Sequence, residues 1–181
     1  MPEPRPETGV TESAAASRDD GINLGPDGLL FDLAGLDLNA RIVGQAGIES
    51  KIPHRGQMLL FDAVVWRHPT LLRGVGYRKV REDEFWVPGH FPKRAVMPGV
   101  IMVESAAQLA CYLFMTRHEG ERLVLLLRLE HGVFRNSVSP GDDFYLLCDE
   151  VKVGRRQFKC DLQGLANGKP TFEIRVSGMM V

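Results

Sequence analysis

Short apolar runs alternate with turn-forming residues along the last third of the chain. The runs are rich in Val, Leu, Phe and Tyr, which is typical of strands in an antiparallel sheet. Asn167-Gly168 lies between two of these runs and is a strong signal for a two-residue hairpin turn. The pattern predicts strands over residues 123–130, 144–153, 156–166 and 170–181, preceded by an earlier strand pair over 58–66 and 71–80.

One long apolar segment, residues 98–117, differs from this β pattern. Drawn as a helix it has apolar side chains on all sides, which is typical of a helix enclosed by protein. A transmembrane helix is the rival interpretation, but Glu104, Ser105 and Gln108 interrupt the apolar stretch. Five or six strands and one enclosed helix predict an α+β fold.

The first 47 residues differ in composition from the rest of the chain. Up to Asp20, Val10 is the only branched aliphatic residue, so this stretch is predicted to be disordered. Residues 28–44 contain clustered Leu and Phe with interspersed Asp, and predict either a short amphipathic helix or an extended arm. We therefore expect an acidic, partly disordered extension over 1–47 and a folded domain over 48–181.

Composition and charge narrow the class of protein. The chain has 44% hydrophobic and 25% charged residues, as soluble globular proteins do. Its net charge of −1 combines an acidic start with a mildly basic remainder. That basic excess is too small for a nucleic-acid surface; it fits an acidic protein or phosphate-bearing partner, or simply a solvated surface.

The cysteines and the first residues of the chain indicate the cellular compartment of the protein. Cys111, Cys148 and Cys160 are widely spaced and form neither a disulfide framework nor a CxxC pair. The initial residues lack the apolar core of a signal peptide, and no transit segment follows them. These features predict a cytoplasmic protein that is neither exported nor membrane-bound.

Glu104 is the only charged residue of the predicted helix before its last residue, Arg117. Burial raises the pKa of a carboxyl group, and a carboxylic acid that is neutral near pH 7 can act as a general acid. Gln108 lies four residues further on the same helix face, within reach of a hydrogen bond. The alternative is a structural glutamate that is satisfied by a core partner or a subunit contact.

His90 and Gly99 offer complementary chemistry close to Glu104 in the sequence. His90 lies in a loop made rigid by Pro and Gly, and a histidine so held can remove a proton from carbon. The N-H of Gly99 lies at the positive end of the helix, where it can stabilise a carbonyl oxygen that gains negative charge. This combination predicts proton abstraction next to a carbonyl with loss of a β-hydroxyl. The alternatives are a hydrogen-bonding loop histidine and a Pro-Gly pair that shapes the helix entrance.

The string GHFPKRAVMPGVIMVESAAQ, residues 89–108, resembles the active-site segment of the FabZ-type 3-hydroxyacyl-[acyl-carrier-protein] dehydratases. Ile52-Pro53-His54-Arg55 precedes it and Pro140-Gly141-Asp142 follows it in the family's order. The resemblance implies a hot-dog fold, in which an antiparallel sheet wraps one long central helix. It also implies homodimers with shared active sites, often assembled as trimers of dimers.

The resemblance assigns a role to individual residues. His90 matches the catalytic histidine and Glu104 the catalytic glutamate, supplied by opposite chains of the dimer. Gly99 matches the backbone donor to the thioester carbonyl, and the carbonyl of Val96 matches the group that orients the histidine. No metal or other cofactor is implied, and the histidines have no metal-ligand spacing.

The implied partner is an acyl carrier protein bearing a 4'-phosphopantetheine acyl thioester. Lys93 and Arg94 form a basic pair that could contact the carrier protein, or could be solvated loop charges. The chain departs from the family at Gly56-Gln57-Met58, where an aromatic residue is usual, so the preferred acyl length stays open. A hot-dog thioesterase and a non-catalytic acyl-carrier binding subunit are the rival functions.

Overall fold

A computed structural model describes residues 21–120 and 122–181 of the chain. The elements run in the order α1 (Gln45–Glu49), a 3-10 turn (Gly56–Met58), β1 (Ala63–Arg67), β2 (Arg73–Lys79), α2 (Gly99–Thr116), β3 (Val124–Phe134), β4 (Asp143–Val153), β5 (Gln157–Ala166) and β6 (Lys169–Met180). The predicted disorder up to Asp20 lies outside the described residues. The long helix and six strands are present, with β3 extending to Phe134. The first strand, predicted over 58–66, begins only at Ala63, because the 3-10 turn Gly56–Met58 and the irregular residues after it precede it.

The six strands form one antiparallel sheet in the order β1-β2-β4-β5-β6-β3. The hairpin between β5 and β6 turns at Asn167 and Gly168, whose φ values of 52° and 71° are those that a two-residue type I′ turn requires. Among the described strands, β3 pairs only with β6 and forms one edge of the sheet. The sheet encloses α2, as the sequence predicted.

Strand β2 brings the sheet close to the helix because two of its residues lack side chains. A Cβ atom at Gly74 would lie 2.9 Å from Leu113 Cδ1, and one at Gly76 would lie 3.4 Å from Leu109 Cδ2. Both leucines belong to α2 and are fully buried. Of the described helices, only α2 is long and apolar enough to cross a membrane, and 67% of it is buried inside the fold.

The outer face of the sheet is covered by the segment 21–40, which we call the strap. Its apolar side chains pack on Val65, Val75, Leu147 and Leu165, which point away from the helix. The strap is irregular, with turns and no helix, so of the two predicted conformations the extended arm is closer. The predicted division of the chain at residue 47 stays a prediction.

Two polar side chains of the outer face bind the strap backbone. Gln163 accepts a hydrogen bond from Leu30 N at 3.1 Å and donates one to Gly28 O at 2.8 Å. Arg175, which is paired with Asp161, donates to Gly21 O at 3.2 Å. Because these polar groups are buried beneath the strap, their hydrogen bonds contribute to its position.

Candidate active site

His90 is held by backbone hydrogen bonds within the loop between β2 and α2. Its N-H donates to Trp86 O at 2.9 Å, and its carbonyl accepts from Val96 N at 2.8 Å. The ring atom Nδ1 lies 2.7 Å from Val96 O. A carbonyl oxygen can only accept, so Nδ1 carries the proton of the neutral ring and Nε2 keeps a free lone pair. The loop therefore presents a base.

His90 shares a surface cavity of about 570 Å³ with Val96, Gly99 and Phe134. Gly99 is the first residue of α2, where backbone N-H groups lack helical partners and the dipole is positive. A Cβ atom at Gly99 would lie 2.7 Å from Phe134 Cε1, so the close packing against this ring also requires glycine. The cavity thus combines a base with a helix N-terminus.

Glu104 lines a different cavity, of about 210 Å³, on the same helix. Its side chain is 30% exposed in the single chain, and it is neither fully buried nor unpaired. Glu104 Oε1 accepts a hydrogen bond from Gln108 Nε2 at 2.9 Å, as the spacing of four residues predicted. Within one chain, therefore, His90 and Glu104 belong to separate cavities.

The side chain of Gln108 has one fixed orientation. Its Oε1 accepts from Leu60 N at 2.9 Å, and its Nε2 donates to Met58 O at 2.8 Å. Reversing the amide would set a donor against the Leu60 N-H and an acceptor against the Met58 carbonyl. Gln108 must therefore present an N-H to Glu104, which leaves the second carboxyl oxygen of Glu104 available to a ligand.

We expect Gln108→Leu to lower the free energy of unfolding by about 1–3 kcal/mol, because the buried N-H of Leu60 and the partly buried carbonyl of Met58 would lose their partner. Urea denaturation followed by circular dichroism measures the change. Gln157→Leu is the control, since Gln157 is exposed and its side chain bonds, within the described part of the chain, to Met179 Sδ alone. Equal stability of the two variants would contradict this account of Gln108.

His54 and Cys111 were not singled out by the sequence as functional, and both line the Glu104 cavity. His54 Nε2 lies 3.5 Å from Glu104 Oε1. Burial lowers the pKa of His54, against the opposing effect of the Glu104 charge. Burial raises the pKa of the Cys111 thiol to about 12, so Cys111 lines the cavity as a neutral thiol. The motif Ile52-Pro53-His54-Arg55 was the only signal for His54.

Lys93 and Arg94 are exposed on the His90 loop and form no ion pair with the described residues. Their contact with a carrier protein stays a prediction. Among residues 21–120 and 122–181, no group of three His, Cys, Asp or Glu side chains is arranged to hold a metal ion.

Comparison with known proteins identifies the family. A family model described as the FabA-like domain matches residues 52–175, which is more than half of the chain. The chain belongs to the FabA-like family. The matched range includes His90, Gly99 and Glu104 and ends within β6. It contains the whole lining of the His90 cavity and most of the lining of the Glu104 cavity, of which Val176 and Gly178 lie beyond it.

Curated FabA-like relatives confirm the resemblance seen in the sequence. A 3-hydroxyacyl-[acyl-carrier-protein] dehydratase FabZ from Granulibacter bethesdensis is 38% identical over 147 residues, covering 77% of this chain and 84% of the relative. A FabZ from Clostridium acetobutylicum is 35% identical over 132 residues, covering 72% and 92%. Another from Acidiphilium cryptum is 38% identical over 119 residues, covering 64% and 72%.

Solved structures share the architecture. The dehydratase heterocomplex ApeI:P from Xenorhabdus doucetiae matches with a TM-score of 0.65 at 15% identity, covering 74% of this chain and 90% of that one. A sigma28-regulated virulence protein from Campylobacter jejuni matches with a TM-score of 0.60 at 9% identity, covering 81% and 96%. These likenesses concern the fold, and the predicted hot-dog fold of this FabA-like chain is confirmed.

Proposed function

We propose that this FabA-like protein dehydrates 3-hydroxyacyl-[acyl-carrier-protein] to trans-2-enoyl-[acyl-carrier-protein] and water, in the synthesis of fatty acids or a related lipid or polyketide. Its curated relatives are named for this reaction. Three groups in this chain suit it: a histidine with a free lone pair, a glutamate with a free oxygen, and a helix N-terminus. None of the three needs a metal or organic cofactor.

His90 acts as the base. With Nδ1-H bonded to Val96 O, its Nε2 removes the proton from the carbon next to the thioester carbonyl. The negative charge that develops on the carbonyl oxygen is stabilised by the Gly99 N-H at the start of α2. The substrate carbonyl therefore lies against the helix end while the base works beside it.

Glu104 acts as the acid. Its Oε1 is occupied by the Gln108 amide, so its Oε2 carries the proton that is passed to the β-hydroxyl. The carbon-oxygen bond breaks, water leaves, and the electrons from the broken carbon-hydrogen bond form the alkene. Glu104 ends the step as a carboxylate and His90 as an imidazolium, and proton transfer between them and water restores both.

One observation carries the proposal: the two cavities lie at opposite ends of the edge strand β3. Phe134 ends β3 and lines the His90 cavity, whereas Val124 begins β3 and lines the Glu104 cavity. When two copies of an edge strand pair antiparallel about a twofold axis, the end of one meets the beginning of the other. Such a homodimer brings His90 of one chain to Glu104 of its partner.

The surface of β3 suits this pairing. An edge strand presents unpaired N-H and carbonyl groups, and proteins normally protect a long apolar edge. Large apolar side chains on β3 are instead exposed in the single chain: Leu125, Leu126, Leu127, Leu129, Val133 and Phe134. A second copy of the chain would cover this surface and extend the sheet to twelve strands, twice the six of one chain.

We expect Leu127→Asp to separate the dimer and to reduce dehydratase activity at least about tenfold, because the charge lies in the proposed interface and each site needs both chains. Analytical ultracentrifugation and the activity assay measure the two effects. Val151→Asp is the matched control, since Val151 is 48% exposed and Leu127 is 52% exposed, but Val151 lies on β4. A dimeric, active Leu127→Asp protein would refute the proposed interface.

The carrier protein would approach the His90 loop. Lys93 and Arg94 are exposed there without an ion-pair partner in the described part of the chain, so an acidic carrier protein can meet both charges. We place the protein in the cytoplasm, where such carrier-linked synthesis takes place.

The reverse reaction tests the function. Purified protein is mixed with trans-2-enoyl thioesters of pantetheine and of carrier protein, and the enoyl-thioester absorbance is followed. Loss of the absorbance with formation of the 3-hydroxyacyl product supports dehydration. Release of free thiol with the alkene intact would support a thioesterase instead. Binding of acyl carrier protein without any turnover would favour a non-catalytic binding subunit.

A further inference from the structure

The Glu104 cavity is open at one end and enclosed at the other. Along α2 it is lined by Glu104, Ala107, Gln108 and Cys111, which lie on one helix face. Seven residues of helix span about 10 Å between Glu104 and Cys111. The Glu104 side chain is 30% exposed, whereas Cys111 is only 5% exposed. The cavity is thus open beside the proposed acid and becomes enclosed one to two helical turns further on.

Phe158 stands at the enclosed end. It lines the cavity and is 5% exposed. Its ring centroid lies 4.9 Å from that of Phe114. Phe114 follows Cys111 by three residues on the same helix face but does not line the cavity. The two rings together therefore close the space between the helix and strand β5.

Gly178 allows the Phe158 ring to take this position. The two residues are cross-strand partners in β5 and β6. A Cβ atom at Gly178 would lie 2.4 Å from Phe158 Cζ and 2.7 Å from Cε1. The ring therefore lies directly across the backbone of β6, between that backbone and Phe114. Held on two sides, it cannot move aside for a ligand without displacing buried neighbours.

We propose that Phe158 is the specificity-determining residue that closes the acyl pocket and limits this enzyme to short and medium acyl chains. The inference rests on the proposed function, in which the reacting carbons lie at Glu104 and the rest of the chain follows the cavity toward Cys111. At about 1.3 Å per carbon-carbon bond, the helix length from Glu104 to Cys111 accommodates about eight further carbons. Longer chains meet the Phe158 ring.

The test compares crotonyl, decenoyl and hexadecenoyl thioesters with wild-type protein and Phe158→Ala. For the wild type we expect kcat/KM to be at least about tenfold lower with the hexadecenoyl than with the decenoyl substrate, because several methylenes find no apolar pocket. Phe158→Ala should remove most of this difference and leave the crotonyl rate within about threefold, since the reacting groups are unchanged. An unchanged length profile with an intact crotonyl rate would overturn the proposal.

Two further variants test the proposal in case the Phe158→Ala protein does not fold. Phe158→Leu removes less volume and should raise the relative rate with the hexadecenoyl substrate in the same direction. Cys111→Leu fills the cavity about one helical turn before Phe114, the ring that packs on Phe158, and should favour crotonyl over decenoyl thioesters. Phe144→Leu is the matched control, because Phe144 is a fully buried ring that lines none of the described cavities. It should leave the length profile unchanged.

A binding measurement separates this proposal from the proposed function. Calorimetry with S-alkyl pantetheine thioethers, which cannot react, reports the length limit without turnover. If the wild type binds octyl but not tetradecyl thioethers and Phe158→Ala binds both, the role of Phe158 holds even for a protein without dehydratase activity. If both proteins bind all lengths equally, Phe158 sets no limit, whatever the activity assay shows.

Discussion

His90→Ala and Glu104→Gln are each expected to lower kcat by about 10²–10⁴-fold, since each removes the group that moves a proton in the proposed reaction. Both side chains are partly exposed and line surface cavities, so the fold should tolerate the changes. The hydration assay measures the rate, and circular dichroism confirms folding. Retention of more than about a tenth of the wild-type rate by either variant would contradict its role.

Heterodimers of these two variants give a sharper result. If His90 of one chain works with Glu104 of the other, a heterodimer contains one site with both changes and one site with neither. Its activity should therefore be about half that of the wild type, although each parent is inactive. The heterodimer is purified by two affinity tags after co-expression. A heterodimer as inactive as its parents would show that each chain holds a complete site, against the proposed pairing of β3.

Deletion of residues 1–40 is expected to lower the free energy of unfolding by about 4 kcal/mol or more. The strap buries Leu30 and partly buries Phe31, and each large apolar side chain contributes about 1.5–3 kcal/mol when fully buried. Deletion also exposes Val75 and Leu147 on the outer face of the sheet. Urea denaturation measures the loss, which should appear as a lower midpoint.

The matched control is deletion of residues 1–20, which keeps the strap. The difference between the two deletions isolates the contribution of residues 21–40. Because the strap covers the face of the sheet opposite α2, the turnover of folded protein should be the same in both. Equal midpoints for the two proteins would mean that the strap contributes nothing to stability, despite its contacts with Gln163 and Arg175.

Strands and the long helix were predictable because their signals are local. The apolar residues of α2 surround the helix, and the Asn167-Gly168 turn has a narrow conformational preference, so neither depends on distant partners. The strap was not predictable in this way. Its leucines have no regular period, and their burial depends on residues of β1, β2, β4 and β5 that lie far away in the sequence.

The same distinction applies to the site. The contact of Glu104 with Gln108 followed from a spacing of four residues on one helix. The contact of His54 with Glu104 joins residues 50 positions apart, and no periodicity reports such a contact. The family resemblance predicted that the Val96 carbonyl orients His90. The structure places His90 Nδ1 2.7 Å from Val96 O. Sequence could not show that His90 and Glu104 line separate cavities in one chain, because this depends on how the sheet wraps the helix.

The order of strands in the sheet also determines which contacts the chain must form last. Strands β4, β5 and β6 follow one another as neighbours, and the turn between β5 and β6 takes only two residues. Strand β2 pairs with β4, although a long segment separates the two strands in the sequence. Lys79 is paired with Asp143, which lies 64 positions further along the chain. Bringing β2 and β4 together closes a long loop that contains α2, and this loses more chain entropy than forming the two-residue turn between β5 and β6. We therefore expect enclosure of the helix, and with it the complete lining of the proposed acyl pocket, to be a late event in the folding of each chain.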